Sequence, residues 1–372
     1  MMVPELYCLI KPASGACNMA CRYCFYADEM AHREVRIFPR MSEATARNLI
    51  RKAYAFARRG VTFDFQGGEP LMAGLPFFRD FVALSQQLNP GLQVRYAIQT
   101  NGTLIDEPTA EFLAQHRFLV GVSLDGTVSL HDQFRRDHHG QKTGAKVLAA
   151  IELLRKKGAE VNILTVLTHQ TARHIEQILD DYQARGFDFL QFIPCLDPMN
   201  EPRGQQAYSL SPDDFELYLK QSFDRWYRQI EAGQTPYNRY FENLLMMLMG
   251  QMPEACGMFG QCMKQYVFEA DGSCYPCDFY VLDELKLGNV NEEDFDDFDR
   301  RRQQLGFIEQ SRQVHPRCRQ CRYGALCRGG CRRDRQRADQ QIGLNYYCDS
   351  YRHFFDYALP RLIRLAQKLS QR

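Results

Sequence analysis

The sequence predicts an α/β fold in which a partial (β/α)6 barrel of the TIM type precedes a small cysteine-rich domain and a C-terminal helix. Three observations predict it. Strand-like and helix-like segments alternate through the first half, several strand ends are polar and glycine-rich, and the 14 cysteines are clustered rather than scattered. Alternating strand and helix implies a parallel sheet joined by right-handed crossovers. Six such units are too few to close an eight-stranded barrel, so the barrel is expected to be partial.

In chain order, strands are expected over residues 6–11, 61–66, 93–99, 118–123, 160–168 and 188–194. Helical patterns lie between them at 43–59, 76–89, 107–115, 145–158 and 171–186. Gly60, Gly158 and Gly186 each follow a helical pattern, where a glycine just past the last turn would stop it. In barrels of this kind the reactive groups gather at the C-terminal strand ends. Here the first strand runs into a cysteine loop, the second into QGGEP (66–70), the third into QTNG (99–102) and the fourth into SLDG (123–126). Any one of these could be a plain turn. Three in one layer beside a cysteine loop describe a site.

After Pro198 the alternation stops. A turn-rich stretch, 200–212, leads into an amphipathic helix, 212–231, and a Met- and Leu-rich stretch, 240–252, that reads as core. Its methionines, Met246, Met247, Met249 and Met252, suit packing better than ligation. The expected division is 1–198 for the barrel, 199–255 for a helical connector, 256–348 for the cysteine-rich domain and 349–372 for the last helix.

Composition narrows the class. No basic and apolar leader is visible, and no apolar run approaches the roughly 20 residues that span a bilayer. A reducing cytoplasm is therefore expected, where clustered cysteines mean metal or redox chemistry more often than disulfides. The net charge of +1 gives no electrostatic argument for nucleic acid or an anionic membrane. A monomer is expected.

Cys17, Cys21 and Cys24 sit in CNMACRYC, with Tyr23 before the last cysteine. Three thiolates in one tight loop are one ligand short of a closed four-cysteine site. A [4Fe–4S] cube held this way keeps one iron open for a reactive cofactor. Zinc, the alternative, favours four ligands, and no fourth Cys or His follows soon after. A second field holds Cys256, Cys262, Cys274, Cys277, Cys318, Cys321, Cys327, Cys331 and Cys348. Its run CRQCRYGALCRGGCRRD has ferredoxin-like spacing, with a zinc ribbon as the alternative.

The cysteine loop with its aromatic, and the GGEP, QTNG and SLDG segments, resemble the radical S-adenosylmethionine (SAM) enzymes. That resemblance implies SAM held on the open iron, with Tyr23, Gly67, Gly68, Glu69, Thr100, Asn101, Ser123, Asp125 and the Leu196 region around it. The second field resembles the SPASM domain, which carries two auxiliary [4Fe–4S] clusters. By resemblance Cys256, Cys262, Cys277 and Cys331 hold one, and Cys318, Cys321, Cys327 and Cys348 hold the other. Cys8, Cys195 and Cys274 are left as small buried hydrophobes, with a swap of Cys274 for Cys277 open.

Over essentially the whole chain, from IKPASGACNMACRYCFY through YPCDFYVLDELKLGN to LNYYCDSYRHFF, the sequence resembles the anaerobic sulfatase-maturating enzymes. The resemblance implies oxidation of a Cys or Ser in a sulfatase C/S-x-P-x-R segment to Cα-formylglycine by a 5′-deoxyadenosyl radical. It makes Asp278, in CDFY, the general base, and places Tyr26 and Gln66 near the substrate peptide. The implied partners are an unfolded sulfatase precursor and a reducing electron donor of flavodoxin or ferredoxin type. A thioether-forming SPASM maturase is the alternative within the enzyme class. A non-catalytic iron–sulfur carrier or zinc module is the alternative outside it, and the layer of SAM-binding strand ends argues against both.

Overall fold

The computed structural model describes residues 2–335 and 342–370. The last two residues of the helix expected over 349–372 lie outside the described residues. Ten strands form among the described residues: β1 (Val3–Ile10), β2 (Ala57–Phe65), β3 (Gln93–Thr100), β4 (Leu119–Ser123), β5 (Glu160–Leu167), β6 (Phe189–Pro194), β7 (Tyr237–Asn238), β8 (Tyr266–Phe268), β9 (Ser273–Tyr275) and β10 (Gly288–Asn289). The chain folds as two compact units. One comprises residues 1–123, 135–162 and 264–307, the other 124–134, 163–263 and 308–372.

The first unit holds the neighbouring strands β10-β9-β8-β1-β2-β3-β4. Strands β1 to β4 are parallel, with Cys8 opposite Phe63, Phe63 opposite Tyr96 and Ile98 opposite Val120. Helices Glu43–Phe56 and Leu75–Leu88 connect them. Ser42 caps the first of these, its hydroxyl accepting from Thr45 N at 3.1 Å. That helix buries Ala46, Leu49, Ile50 and Ala53, a helical spacing that aims one stripe inward. The core is aromatic: Phe65 meets Phe81 edge-on at 5.0 Å, and Tyr96 stacks on Phe118 at 5.1 Å. The hydroxyls of Tyr54 and Tyr96 both meet Ser85 Oγ, at 2.5 and 2.7 Å, so two buried phenols find partners.

The sheet gains three strands that sequence periodicity does not announce. β8 pairs parallel with β1, Cys8 opposite Tyr266 and Ile10 opposite Phe268. β9 returns antiparallel to it and β10 follows. The turn is Asp271-Gly272, with Gly272 at φ +90°, where a side chain would be strained. Residues 264–307, from within the cysteine-rich stretch, therefore complete the first unit.

The second unit contains parallel β6 and β7 and the C-terminal part of β5. Its helices Pro212–Glu231, Arg239–Leu248 and Cys348–Ser370 enclose Phe223, Trp226, Phe241 and Phe354. Phe223 meets Phe241 at 5.4 Å and Phe354 at 5.6 Å.

Three expectations are corrected. The helix expected over 43–59 stops at Phe56, because Ala57 turns extended and enters β2. Gly60 is thus a strand residue: a Cβ there would meet Glu5 Oε2 at 2.7 Å and the Gln93 carbonyl at 2.9 Å. The helix expected over 171–186 is two, His169–Arg173 and Ile175–Ala184, broken at His174, which closes one and opens the next. The methionines after residue 245 are only half-buried, and Met252 is exposed, so Phe241, Leu244 and Leu245 carry the packing there. Gly158 and Gly186 do adopt positive φ beyond their helices.

Gly60→Val is expected to destabilise the first unit by about 1–3 kcal/mol, the usual range for overpacking. Denaturant unfolding followed by tyrosine fluorescence would measure it; an unchanged midpoint would contradict the close β1–β2–β3 approach.

Candidate active site

The site is built at the C-terminal ends of β1, β2 and β3, where three loops are pressed together. Gly68 N donates to the Ser14 carbonyl at 2.9 Å, and Glu69 N to the Ala16 carbonyl at 2.8 Å. A Cβ on Gly68 would lie 2.3 Å from the Ala16 oxygen, and one on Gly67, at φ +127°, would lie 2.9 Å from the Ser14 oxygen. The paired glycines exist so that this backbone can carry the loop leading into Cys17.

Glu69 ties the third loop to the second. Its side chain is 1% exposed and accepts from Thr100 Oγ1 at 2.7 Å, Leu71 N at 3.1 Å and Asn101 N at 2.7 Å. Burial pushes its carboxyl up to about 7 against those three donors. Asn101 continues the chain, donating to Asn18 Oδ1 at 2.9 Å and lying 3.9 Å from Cys17 Sγ. Burial pushes the Cys17 thiol up to about 11, and raises that of Cys24 as well. Cys24 leads into the helix Phe25–Ala31 and packs with Phe25 against Leu9, Val267, Tyr275 and Val281. Arg135 lies 5.3 Å over the Tyr23 ring.

Beside this loop stands an ion pair. Lys11, the residue after β1, is fully buried, and its Nζ donates to Asp278 Oδ1 at 2.6 Å. Gln66 Nε2 donates to the other Asp278 oxygen at 2.9 Å. The same ammonium sits 3.9 Å over the Tyr26 ring, whose hydroxyl donates to Glu269. Arg33 holds Glu269 from the far side at 2.7 Å. Tyr26, Gln66 and Asp278 are therefore brought together. The residues that join them, Lys11, Arg33 and Glu269, were not singled out in the sequence. The one available cue was a lysine closing an otherwise apolar strand, in LYCLIK.

Below the pair on the same face of β2 lies Asp64, 2% exposed, accepting from Tyr7 and from Gln99 at 3.2 Å, with Oδ1 unpartnered. Burial pushes its carboxyl from 3.8 up to about 6. A raised carboxyl contributes stability that is present below 3.8 and is lost as pH rises through about 6. Asp64→Asn is expected to flatten that part of the stability–pH curve; an equally steep decline in the variant, read as thermal midpoints from pH 5 to 8, would contradict it.

The remaining residues separate by unit. Ser123, half-buried, ends β4 in the first unit. Asp125 and Leu196 belong to the second unit, where the Asp125 carboxylate accepts from Val166 N at 2.9 Å. The side chains of Glu69, Thr100 and Asp125 also make hydrogen bonds within the protein: Thr100 Oγ1 and Asn101 N donate to Glu69, and Val166 N donates to Asp125. Gln66, Gly67, Gly68, Ser123 and Leu196 are only half-buried.

The cysteines divide by burial. Cys8, Cys195 and Cys274 are 0, 4 and 0% exposed, whereas the other eleven are all half-buried. Cys274 lies inside β9 with its thiol beside Cys8. In the second unit Cys318, Cys321, Cys327 and Cys348 line one cavity of about 590 Å³. Burial pushes the Cys327 thiol up to about 11, helped by the other three. Cys256 and Cys262 likewise act on Cys331, which burial pushes up to about 12. Cys277 belongs to the first unit. Among the described residues no three His, Cys, Asp or Glu side chains close around a point as ligands of one ion would. A cube spreads its thiolates over separate irons, so four cysteines around a shared cavity fit that group by donor type and by space.

Comparison with known proteins identifies the family. The radical SAM superfamily model matches residues 12–182, and that of the SPASM iron–sulfur cluster-binding domain matches residues 256–322. A cysteine-type anaerobic sulfatase-maturating enzyme of Clostridium perfringens is 43% identical over 369 residues, covering 99% of this chain and 100% of the relative. A serine-type enzyme of Klebsiella aerogenes is 30% identical, covering 97% and 87%. The solved structure of native anSMEcpe with bound AdoMet and Kp18Cys peptide superposes with a TM-score of 0.94 at 43% identity, covering 98% of this chain and 100% of that one. Streptococcus suis SuiB bound to its precursor peptide SuiA shares the fold, with a TM-score of 0.64 at 15% identity, covering 92% and 76%. The chain belongs to the anaerobic sulfatase-maturating enzymes of the radical SAM superfamily.

Proposed function

We propose that the protein oxidises a cysteine in a C-x-P-x-R segment of an unfolded sulfatase precursor to Cα-formylglycine, without oxygen. The carrying observation is the buried Lys11–Asp278–Gln66 constellation, formed in the same unit as the loop of Cys17, Cys21 and Cys24. Cysteine, rather than serine, follows the higher identity to cysteine-type relatives. Residues 1–198 would house the hydrogen abstraction and residues 256–348 the electron acceptors, joined by a helical connector over 199–255.

Cys17, Cys21 and Cys24 would hold the first [4Fe–4S] cube, with SAM on its open iron. Cys256, Cys262, Cys277 and Cys331 would hold a second cube, and Cys318, Cys321, Cys327 and Cys348 a third. Together these groups supply, when bound, an abstractor for a Cβ hydrogen atom and a sink for one electron. Tyr23, Gly67, Gly68, Glu69, Thr100, Asn101, Ser123, Asp125 and Leu196 would border SAM, the paired glycines through their backbone.

The chain's own residues handle the proton. Asp278, held by an ammonium on one oxygen and an amide on the other, is the carboxylate that takes the cysteine thiol proton. Lys11 fixes the acceptor in place through its 2.6 Å contact, and Gln66 and Tyr26 form the wall beside it. Loss of that proton, a hydrogen atom and an electron leaves a thioaldehyde, which water converts to the aldehyde with release of sulfide. Electrons for SAM would come from a carrier of flavodoxin or ferredoxin type.

Anaerobic protein given SAM, reductant and a C-x-P-x-R peptide is expected to yield an aldehyde trapped by methoxyamine. A crosslinked peptide would move the chain to the thioether-forming branch. Asp278→Asn keeps the shape but cannot accept a proton. It is expected to load iron and cleave SAM while aldehyde formation falls at least about 100-fold; wild-type aldehyde output would reject the base. Lys11→Met, which removes a charged hydrogen bond, is expected to lower output by about 10–100-fold with SAM cleavage retained.

A further inference from the structure

The cavity shared by Cys318, Cys321, Cys327 and Cys348 opens among arginines that the reaction does not use. Arg317, Arg322, Arg328 and Arg352 line it, against Asp356 as the one acidic lining residue among the described residues. Arg317, Arg322 and Arg352 expose 53, 72 and 48% of their side chains. Asp349 pairs with Arg317 at 3.6 Å and with Arg352 at 3.4 Å, while Asp356 pairs with Arg322, and both aspartates are themselves exposed. Residues 312–335 carry eight arginines and no lysine against one aspartate, in a chain whose net charge is +1. Arg317, Arg322 and Arg328 of that segment line the cavity and, with Arg352, outnumber the Asp349 and Asp356 that pair with them.

Two plainer roles are available to these arginines. Guanidinium groups near thiolates offset the negative charge of a thiolate-bound cube, and some arginines here are structural: Arg333 donates to the Asp197 carbonyl, and Arg335 to the Ser311 and Gln313 carbonyls. Neither role needs three guanidinium groups held half in water around the cavity mouth.

We propose that this arginine rim is the docking surface for a small acidic one-electron carrier protein, which collects from the cavity the electron given up by the peptide. The inference rests on the function proposed above, with a cube in that cavity. In that reaction the peptide loses two electrons in all, one with the Cβ hydrogen atom and one as Asp278 takes the thiol proton. The second electron must leave before another turnover. The oxidised carrier gains that one electron, the cube returns to its starting charge, and no bond is made or broken at the rim. Electron transfer falls steeply with distance, so the carrier must sit over the cavity. Opposite charge brings it there and orients it, with the effect confined to about 10 Å at 0.1 M salt. Arginine, with its planar fork, pairs with carboxylates in fixed geometry better than lysine does.

Binding of oxidised flavodoxin to the iron-loaded enzyme tests this, measured by calorimetry at 50 and 300 mM salt. Wild type is expected to bind more weakly at the higher salt. Arg317→Gln/Arg322→Gln/Arg352→Gln is expected to lose at least about fivefold in affinity at low salt, as three exposed pairs imply. The triple lysine variant should keep most of the affinity, and Arg47→Gln, an exposed change in the first unit, should keep all of it. Iron per chain and peptide KM are read on each preparation. Unchanged carrier binding in an iron-replete glutamine variant would overturn the docking surface alone, as would salt-indifferent wild-type binding. Loss of peptide binding with carrier binding intact would assign the rim to substrate and overturn it too. A wild-type cavity without iron would overturn both the surface and the reading beneath it.

Discussion

Lys11 and Asp278 are 267 positions apart in the chain, yet their charged atoms lie 2.6 Å from each other. An ammonium taken wholly out of water must find a carboxylate, since an unpaired buried charge costs several kcal/mol. Much of the first unit can be understood as the means of making that pairing. β8 adds to the free edge of β1, and the Asp271-Gly272 turn sends β9 back. The chain beyond β9 then carries Cys277 and Asp278 to the end of β1. The pair is thus a weld between the beginning of the barrel and a segment from the cysteine-rich field. Its chemical value and its structural value cannot be separated.

The same economy holds around Glu69. Three donors from two loops converge on one buried carboxyl, and the glycines beside it let the backbone carry the cysteine loop. A tight loop of three thiols would otherwise have to rely on its own turns. Here it is braced by β2 and β3 through Gly68, Glu69 and Asn101. Rigid support of reactive groups by a second layer of polar contacts is how a radical-generating site would keep its reactants in register.

Most of the barrel is legible in the sequence, because parallel buried strands and their helices write apolar runs and glycine stops. The expected strands over 93–99 and 118–123 differ from β3 and β4 by one residue at one end. Where the reading failed, a local rule met a tertiary constraint. Gly60 looks like a helix stop but serves a close approach between strands. β8, β9 and β10 escaped because strands of two or three residues carry no period to detect. Lys11 escaped for a different reason. Nothing local says that a lysine after a strand will be buried; only the distant aspartate decides it.

The central claim is that the enzyme takes a hydrogen atom from Cβ of a peptide cysteine while Asp278 takes the thiol proton. A C-x-P-x-R peptide carrying deuterium at both Cβ positions of its cysteine tests the first half without mutating the protein. Mass spectrometry of the nucleoside formed from SAM, in anaerobic turnover with the iron-loaded enzyme, gives the answer. The account predicts one deuterium in each 5′-deoxyadenosine and one retained in the aldehyde. Unlabelled 5′-deoxyadenosine accompanying an aldehyde that keeps no deuterium, or label appearing only from a Cα-deuterated peptide, would contradict it.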